Sequence, residues 1–241
     1  MLVEIKEFDK ATVKNPCVIE GFPGIGMVGT ISASYLTEKL GMKLVGYIVS
    51  THFPPVSTIH DYRPVSPARV YASPEKGLYV LFSEFMIPSD VVYSLSHAIV
   101  EWAKKKKAKA IYSLAGVASP EPKPVIHGIP SNDEMAGLLK KNGVELIKEG
   151  ATQGVSGVLI AECASQNFPA ANLLAETNVA LDPRAAARAL DCLSKLLGTE
   201  IDTKELLREA GKVEAKMREA VEKMKSLQTE YANREQNPMY A

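Results

Sequence analysis

"CVIEGFPGIGMVGTISASYLTEKLGMKLVGYIV", residues 17–49, decides how the chain folds. Its first letters, "CVIE", are a short apolar and β-branched run that reads as a strand. A glycine-rich corner follows, then "TISASYLTEKL" with the character of a helix and Gly41 as its stop signal. "KLVGYIV" (43–49) is again β-branched and apolar. Strand, helix, strand is the repeating unit of parallel sheets flanked by helices. The reading is therefore an α/β fold with a central, mostly parallel sheet.

Working outward, "RVYAS" and "GLYVLFSEF" read as a hairpin around Pro74 to Gly77, and "SDVVYSLSHAIVEWAKKKK" as an amphipathic helix capped by Ser89 or Asp90. "KAIYSLAGVA" (109–118) supplies a further strand. "PEPKPVIHGIP" is a Pro-rich loop or edge segment. "SNDEMAGLLKKNG" is a short helix capped at Ser131 or Asn132 and closed by Gly143. "GVSGVLIAECASQ", "AANLLAET" and "DPRAAARALDCLSKLLG" continue as helix, strand and helix, with Asp182 capping and Pro183 in the first turn.

The composition is that of a globular protein: 46% hydrophobic and 23% charged over 241 residues. Such a length suits one main domain with an accessory. Lys plus Arg balances Asp plus Glu at 28 each, so no net field favours nucleic acid or an anionic membrane. The N-terminus mixes charge into its apolar letters and reads as no signal peptide, and no apolar run approaches the roughly 20 residues of a membrane span. Cys17, Cys163 and Cys192 lack metal-ligand spacing and are expected as buried free thiols of a reducing cytoplasm.

Two stretches raise the question of chemistry. "GIGMVG" (24–29) satisfies G-x-G-x-x-G between strand and helix, where glycines admit a phosphate to backbone N–H groups. A dinucleotide site also wants an acidic residue at the end of the second strand, and "YIVSTHF" has none. The glycines are therefore read as forming a strand-to-helix corner, with nucleotide or nucleoside binding as the alternative. "THFPPVSTIHDYRP" groups His52 and His60 with Asp61 and Arg63, but without metal spacing or a nucleophile elbow. His97 and His127 stand alone. No catalytic residue, cofactor or metal is expected. "KKKK" (104–107) is a solvated helix end facing the negative pole of the helix dipole.

The C-terminal segment changes character. Leu206, Ala210, Val213, Met217, Ala220, Met224, Leu227 and Tyr231 step by alternating fours and threes, a heptad seam. A helix lying on its own domain and an intersubunit coiled coil both fit this pattern. After Tyr231 the polar "ANREQNP" resembles a linker. Met239 and Tyr240 then reappear with nothing left in sequence to bury them. Pro238 fixes its own φ and biases Asn237 toward extended backbone, while a terminal carboxylate can be captured by a cation or backbone donors.

"GFPGIGMVGTISASYLTEKLG", "LLAET" before "ALDPRAAARAL", and the terminal "MYA" together resemble the archaeal members of the proteasome assembly chaperone family, over nearly the whole chain. The resemblance implies a phosphorylase/hydrolase-like α/β core at 1–198, a C-terminal helical extension at 199–232 and a flexible tail at 233–241. It implies that Met239, Tyr240 and the carboxylate of Ala241 insert between neighbouring α-subunits of the proteasome ring, the carboxylate meeting a pocket lysine. A cytoplasmic homo-oligomer, a tetramer, acting without ATP, cofactor or catalysis is what such a relationship leads one to expect. An enzyme using the glycine corner, and a scaffold whose long helix binds another partner, are the rival expectations.

Overall fold

In the computed structural model, residues 2–9 and 12–235 are described. The opening segment forms β2 (Cys17–Gly21), α1 (Val28–Lys39) and β3 (Lys43–Ser50), as its periodicity predicts. The sheet that receives them has nine strands. Besides these two it contains β1 (Val3–Glu7), β6 (Ala68–Ser73), β7 (Leu78–Ser83), β8 (Ala110–Ala118), β9 (Ile126–Pro130), β10 (Glu145–Leu146) and β11 (Ala170–Thr177), in the order β1-β3-β6-β7-β2-β8-β11-β9-β10. A separate two-stranded ribbon, β4 (Thr58–His60) with β5 (Arg63–Val65), stands between β3 and β6 in the chain.

The middle of the sheet, β7, β2, β8 and β11, is parallel. Its flanks are largely antiparallel, so the whole is mixed. β2 and β3 run the same way, yet the expected hairpin β6–β7 is inserted between them. The Pro-rich segment at 120–130 yields β9, an inner strand antiparallel to β11, and leaves the edge to the two residues of β10.

Helices cover both faces. α1 and α5 (Pro183–Leu197) pack together on one, with Ile31, Leu36 and Leu190 over Ile19 and Leu114. α2 (Val92–Lys105) and α4 (Gly154–Ser165) lie on the other, with Leu95, Ile99 and Leu159 over Val18 and Ile111. Strands covered twice become continuous apolar runs, and every residue of "LYVLFS" in β7 is buried. α3 (Asp133–Lys141) joins the α1 face through Met135 and Leu139.

The caps explain several boundaries. Asn132 accepts the Met135 N–H at 3.0 Å, and Asp182 accepts the Ala185 N–H at 2.9 Å. α2 is different: a 3-10 turn over Ser89–Val91 leads into it, and neither Ser89 nor Asp90 caps it. Asp182→Ala is expected to lower stability by about 1 kcal/mol, the usual size of a lost N-cap. Thermal unfolding of the two proteins checks it.

Beyond Gly198 the chain forms α6 (Lys204–Arg208) and, after a break at Glu209, α7 (Ala210–Glu235). Tyr35 Oη donates to the Asp202 carbonyl at 2.7 Å and Lys39 Nζ meets Glu205 at 2.8 Å, fixing α6 beneath α1. Leu206 is buried, and Val213, Met217 and Val221 pack against the core of the α1 face. This stretch of the seam therefore lies on its own domain. The 26 residues of α7 reach about 39 Å at 1.5 Å per residue, longer than the 15-residue α5.

Candidate functional site

In sheets of this kind ligand sites form beyond the C-terminal ends of the parallel strands, so the glycine corner after β2 is the first place to look. Gly26 has φ 66° and Met27 φ 49°, a left-handed pair that turns the chain into α1. Around most of the glycines the space a side chain would need is filled by the protein itself, while Gly24 faces outward. A Cβ on Gly29 would lie 2.4 Å from the Leu114 carbonyl oxygen, and one on Gly21 2.4 Å from the Gly29 oxygen. Across the strand, a Cβ on Gly116 would lie 2.2 Å from the Ile25 oxygen. Asp182 N–H closes the far side by donating to the Gly26 carbonyl at 2.9 Å. These glycines let α1 and the corner sit directly on the backbone of β2 and β8.

Below the corner runs a row of polar side chains that the sequence reading missed. Glu20, Ser113 and Asn172 are register partners on β2, β8 and β11. They share the α2/α4 face with Val18, Ile111 and Ala170, two residues earlier on the same strands. Glu20 is 1% exposed and Asn172 fully buried. Glu20 Oε1 accepts the Phe22 N–H at 2.9 Å, while Oε2 and both polar atoms of the Asn172 amide have no hydrogen-bond partner among the described residues. Burial pushes the Glu20 carboxyl up to about 7, against the opposing pull of the Phe22 N–H and the Ser113 hydroxyl. Polar letters inside "CVIE" and "AANLLAET", strands otherwise apolar on both faces, were the available signal.

The histidines are dispersed. His127 Nε2 lies 2.8 Å from Glu176, whose carboxyl is held down to about 2 by that contact, the Lys123 N–H and the Ser119 hydroxyl. His52 pairs with Asp90 at 2.6 Å, His60 with Glu84 at 3.0 Å and His97 with Glu162 at 3.0 Å. His52 and His60 thus pin their loop to the segment after β7 rather than converge on a common point. Asp61 sits with Tyr62 in the left-handed tip of the ribbon. Among the described residues no group of His, Cys, Asp and Glu could hold a metal, and no helix is long and apolar enough to cross a membrane. The three thiols are free, and burial pushes Cys163 up to about 12 and Cys192 to about 11. The lysine run closes α2 as expected, with Lys104 bonding Glu101 and Gln166, but Lys106 is not solvated: it bonds Glu7 at 2.6 Å and lies over the Tyr79 and Trp102 rings.

The residues singled out for partner binding, Met239, Tyr240 and Ala241, lie outside the described residues. What is described is the helix leading toward them, which continues to Glu235, three residues past the boundary the sequence suggested.

Fold and site together define the class: an α/β protein on a mixed nine-stranded sheet, its glycine corner packed against the backbone of β8, with a helical extension after the core. The chain belongs to the PAC2 family, whose model matches residues 18–221. An uncharacterised protein of Methanocaldococcus jannaschii is 33% identical over 243 residues, covering 100% of both chains. The crystal structure of PbaA from Pyrococcus furiosus, an archaeal homologue of proteasome-assembly chaperone, superposes with a TM-score of 0.85 at 33% identity, over 93% of this chain and 98% of that one. PbaB of the same organism, an archaeal proteasome activator, shares the fold with a TM-score of 0.76 at 22% identity, over 90% and 98%.

Proposed function

We propose that this protein is an ATP-independent assembly chaperone or activator-like partner of the proteasome, binding the α-ring of the core particle through Met239, Tyr240 and the carboxylate of Ala241. It works in the cytoplasm as a homo-oligomer, with no cofactor and no reaction of its own. The observation that carries this reading is the near full-length similarity to PbaA in a chain that ends in an apolar residue, a tyrosine and one more residue. The close packing at Gly21, Gly29 and Gly116 supports it, because it gives those glycines a role that needs no ligand.

Functionally the chain divides into an α/β body at 1–198, a helical extension from 199 that carries the end of the chain, and a binding tail within 233–241. Three residues bury too little surface to bind tightly alone. Several tails on one oligomer raise the local concentration of each and turn weak contacts into avidity.

Deleting Met239 to Ala241 is expected to abolish cosedimentation with purified archaeal proteasome core while leaving the elution volume and melting temperature of the free protein unchanged. Undiminished cosedimentation of the truncated protein would remove the proposal.

A further inference from the structure

β1 forms one edge of the large sheet, and among the described residues no strand pairs with its outer side. The direction of its backbone groups can be assigned. Phe8 N–H donates to the Val45 carbonyl at 3.0 Å, on the register that pairs Val3 with Ser50 and Glu7 with Gly46. Hydrogen-bonded and non-bonded pairs alternate along an antiparallel ladder. Glu4, Lys6 and Phe8 therefore direct their backbone groups to β3, and Val3, Ile5 and Glu7 direct theirs outward.

Seen from outside, "LVEIKEF" (2–8) is self-complementary about Ile5. When a second copy lies antiparallel with Ile5 opposite Ile5, Glu4 faces Lys6, Leu2 faces Phe8 and Val3 faces Glu7. The pairs that exchange hydrogen bonds in this register are Ile5–Ile5 and Val3–Glu7, all outward-facing, about six bonds in total. Glu4 and Lys6 then meet at non-bonded positions, where side chains come closest.

Other registers fail for stated reasons. A slip of one residue sets outward groups against inward ones and breaks the ladder. A slip of two sets Glu4 against Glu4 or Lys6 against Lys6, and like charges directly opposite are destabilising. The exposed state leaves something to gain: Leu2 is 46% and Phe8 58% exposed. Glu4 and Lys6 satisfy each other at 3.5 Å within one chain, with side chains 61% and 60% exposed and free to exchange partners. The charges that guard an edge strand against arbitrary pairing are here arranged to admit one partner.

We propose that β1 is a homotypic docking edge, to which a second copy of this chain adds its own β1 antiparallel, Ile5 against Ile5, making two sheets one. This gives the homo-oligomer of the proposed function one of its contacts, and it is measured without proteasome, so its failure and the failure of tail binding are separate results.

The test uses the full chain at micromolar concentration in analytical ultracentrifugation. Glu4→Lys places two lysines opposite each other at both symmetric positions and is expected to weaken self-association about tenfold. Adding Lys6→Glu restores the complementarity and with it the wild-type mass. Mixing a Glu4→Cys variant with a Lys6→Cys variant is expected to give an oxidised heterodimer. Neither variant forms a cross-linked dimer alone, because each substituted position is diagonal to its symmetry mate and beyond disulfide reach. Sedimentation unchanged by Glu4→Lys, a charge reversal that fails to restore association, or cross-links absent from the mixture would overturn the proposal.

Discussion

Gly116→Ala is expected to destabilise the protein by about 3–5 kcal/mol, through collision of a single methyl group with main chain on the facing element. The added Cβ would lie 2.2 Å from the Ile25 carbonyl oxygen, 3.0 Å from its carbon and 3.2 Å from a Val28 methyl. Relief requires backbone to move on one side or the other. β8 is held between β2 and β11 in the parallel middle of the sheet, and the corner is fastened to the loop before α5 through Gly26. Since native domains are stable by only about 5–15 kcal/mol, the melting temperature should fall by roughly 10 °C, or soluble protein should be lost. Gly24→Ala in the same motif is the control. Its Cβ meets nothing within 4 Å and its φ of −161° suits any residue, so the change should stay within about 0.5 kcal/mol. Equal melting temperatures for the two variants would refute the packing account of the corner.

Glu20→Gln is expected to stabilise the protein at pH 8 and to cost about 1 kcal/mol near pH 4, where only its extra amide hydrogen counts. Burial raises the Glu20 carboxyl from its ordinary 4.5 to about 7 in the folded state. The neutral form is thus the one the fold accepts, and the stability associated with it is fully present below pH 4.5. It is lost as pH rises through about 7, because the unfolded chain releases its proton earlier than the folded one. Above that pH the folded protein carries a buried carboxylate at a penalty of about 3 kcal/mol. Glutamine keeps the oxygen that accepts the Phe22 N–H and has no charge to bury. Part of the gain is offset by its second amide hydrogen, so about 2 kcal/mol, or roughly 4–8 °C in melting temperature, is expected at pH 8. Stabilities measured from pH 4 to pH 8 should cross for the two proteins as pH rises. A difference independent of pH, or a less stable variant at pH 8, would sink the assignment.

Directions and types of elements were legible in the sequence where local chemistry decides them. The apolar runs of β2, β3, β7 and β11, the caps Asn132 and Asp182, and the stop at Gly41 all follow from side chains acting within a few residues. Adjacency was not legible. Nothing in "KLVGYIV" says that β6 and β7 will separate it from β2, because strand order is fixed by which faces the helices cover. Pro122, Pro124 and Pro130 made 120–130 read as a loop or edge segment. Only Pro130 falls within β9, at its last position, so the interior of the strand keeps its donors. The heptad spacing marked an apolar stripe without saying what covers it. For Leu206, Val213 and Met217 the cover is the protein's own α1-face core. Of the candidate site, the glycine corner was visible as a motif and correctly read as a turn. Glu20 and Asn172 were hidden as single polar letters in apolar strands. Met239, Tyr240 and Ala241 remain a reading of the sequence and of its resemblance.

The far border of the sheet sets a limit on growth. β10 offers two residues, too little template for another chain, while β1 offers five. In the proposed pairing a two-fold axis passes through the middle of the β1 border, so the contact consumes that surface in both copies. The pairing proposed for β1 thus closes on itself, and strand addition along that border ends at two copies.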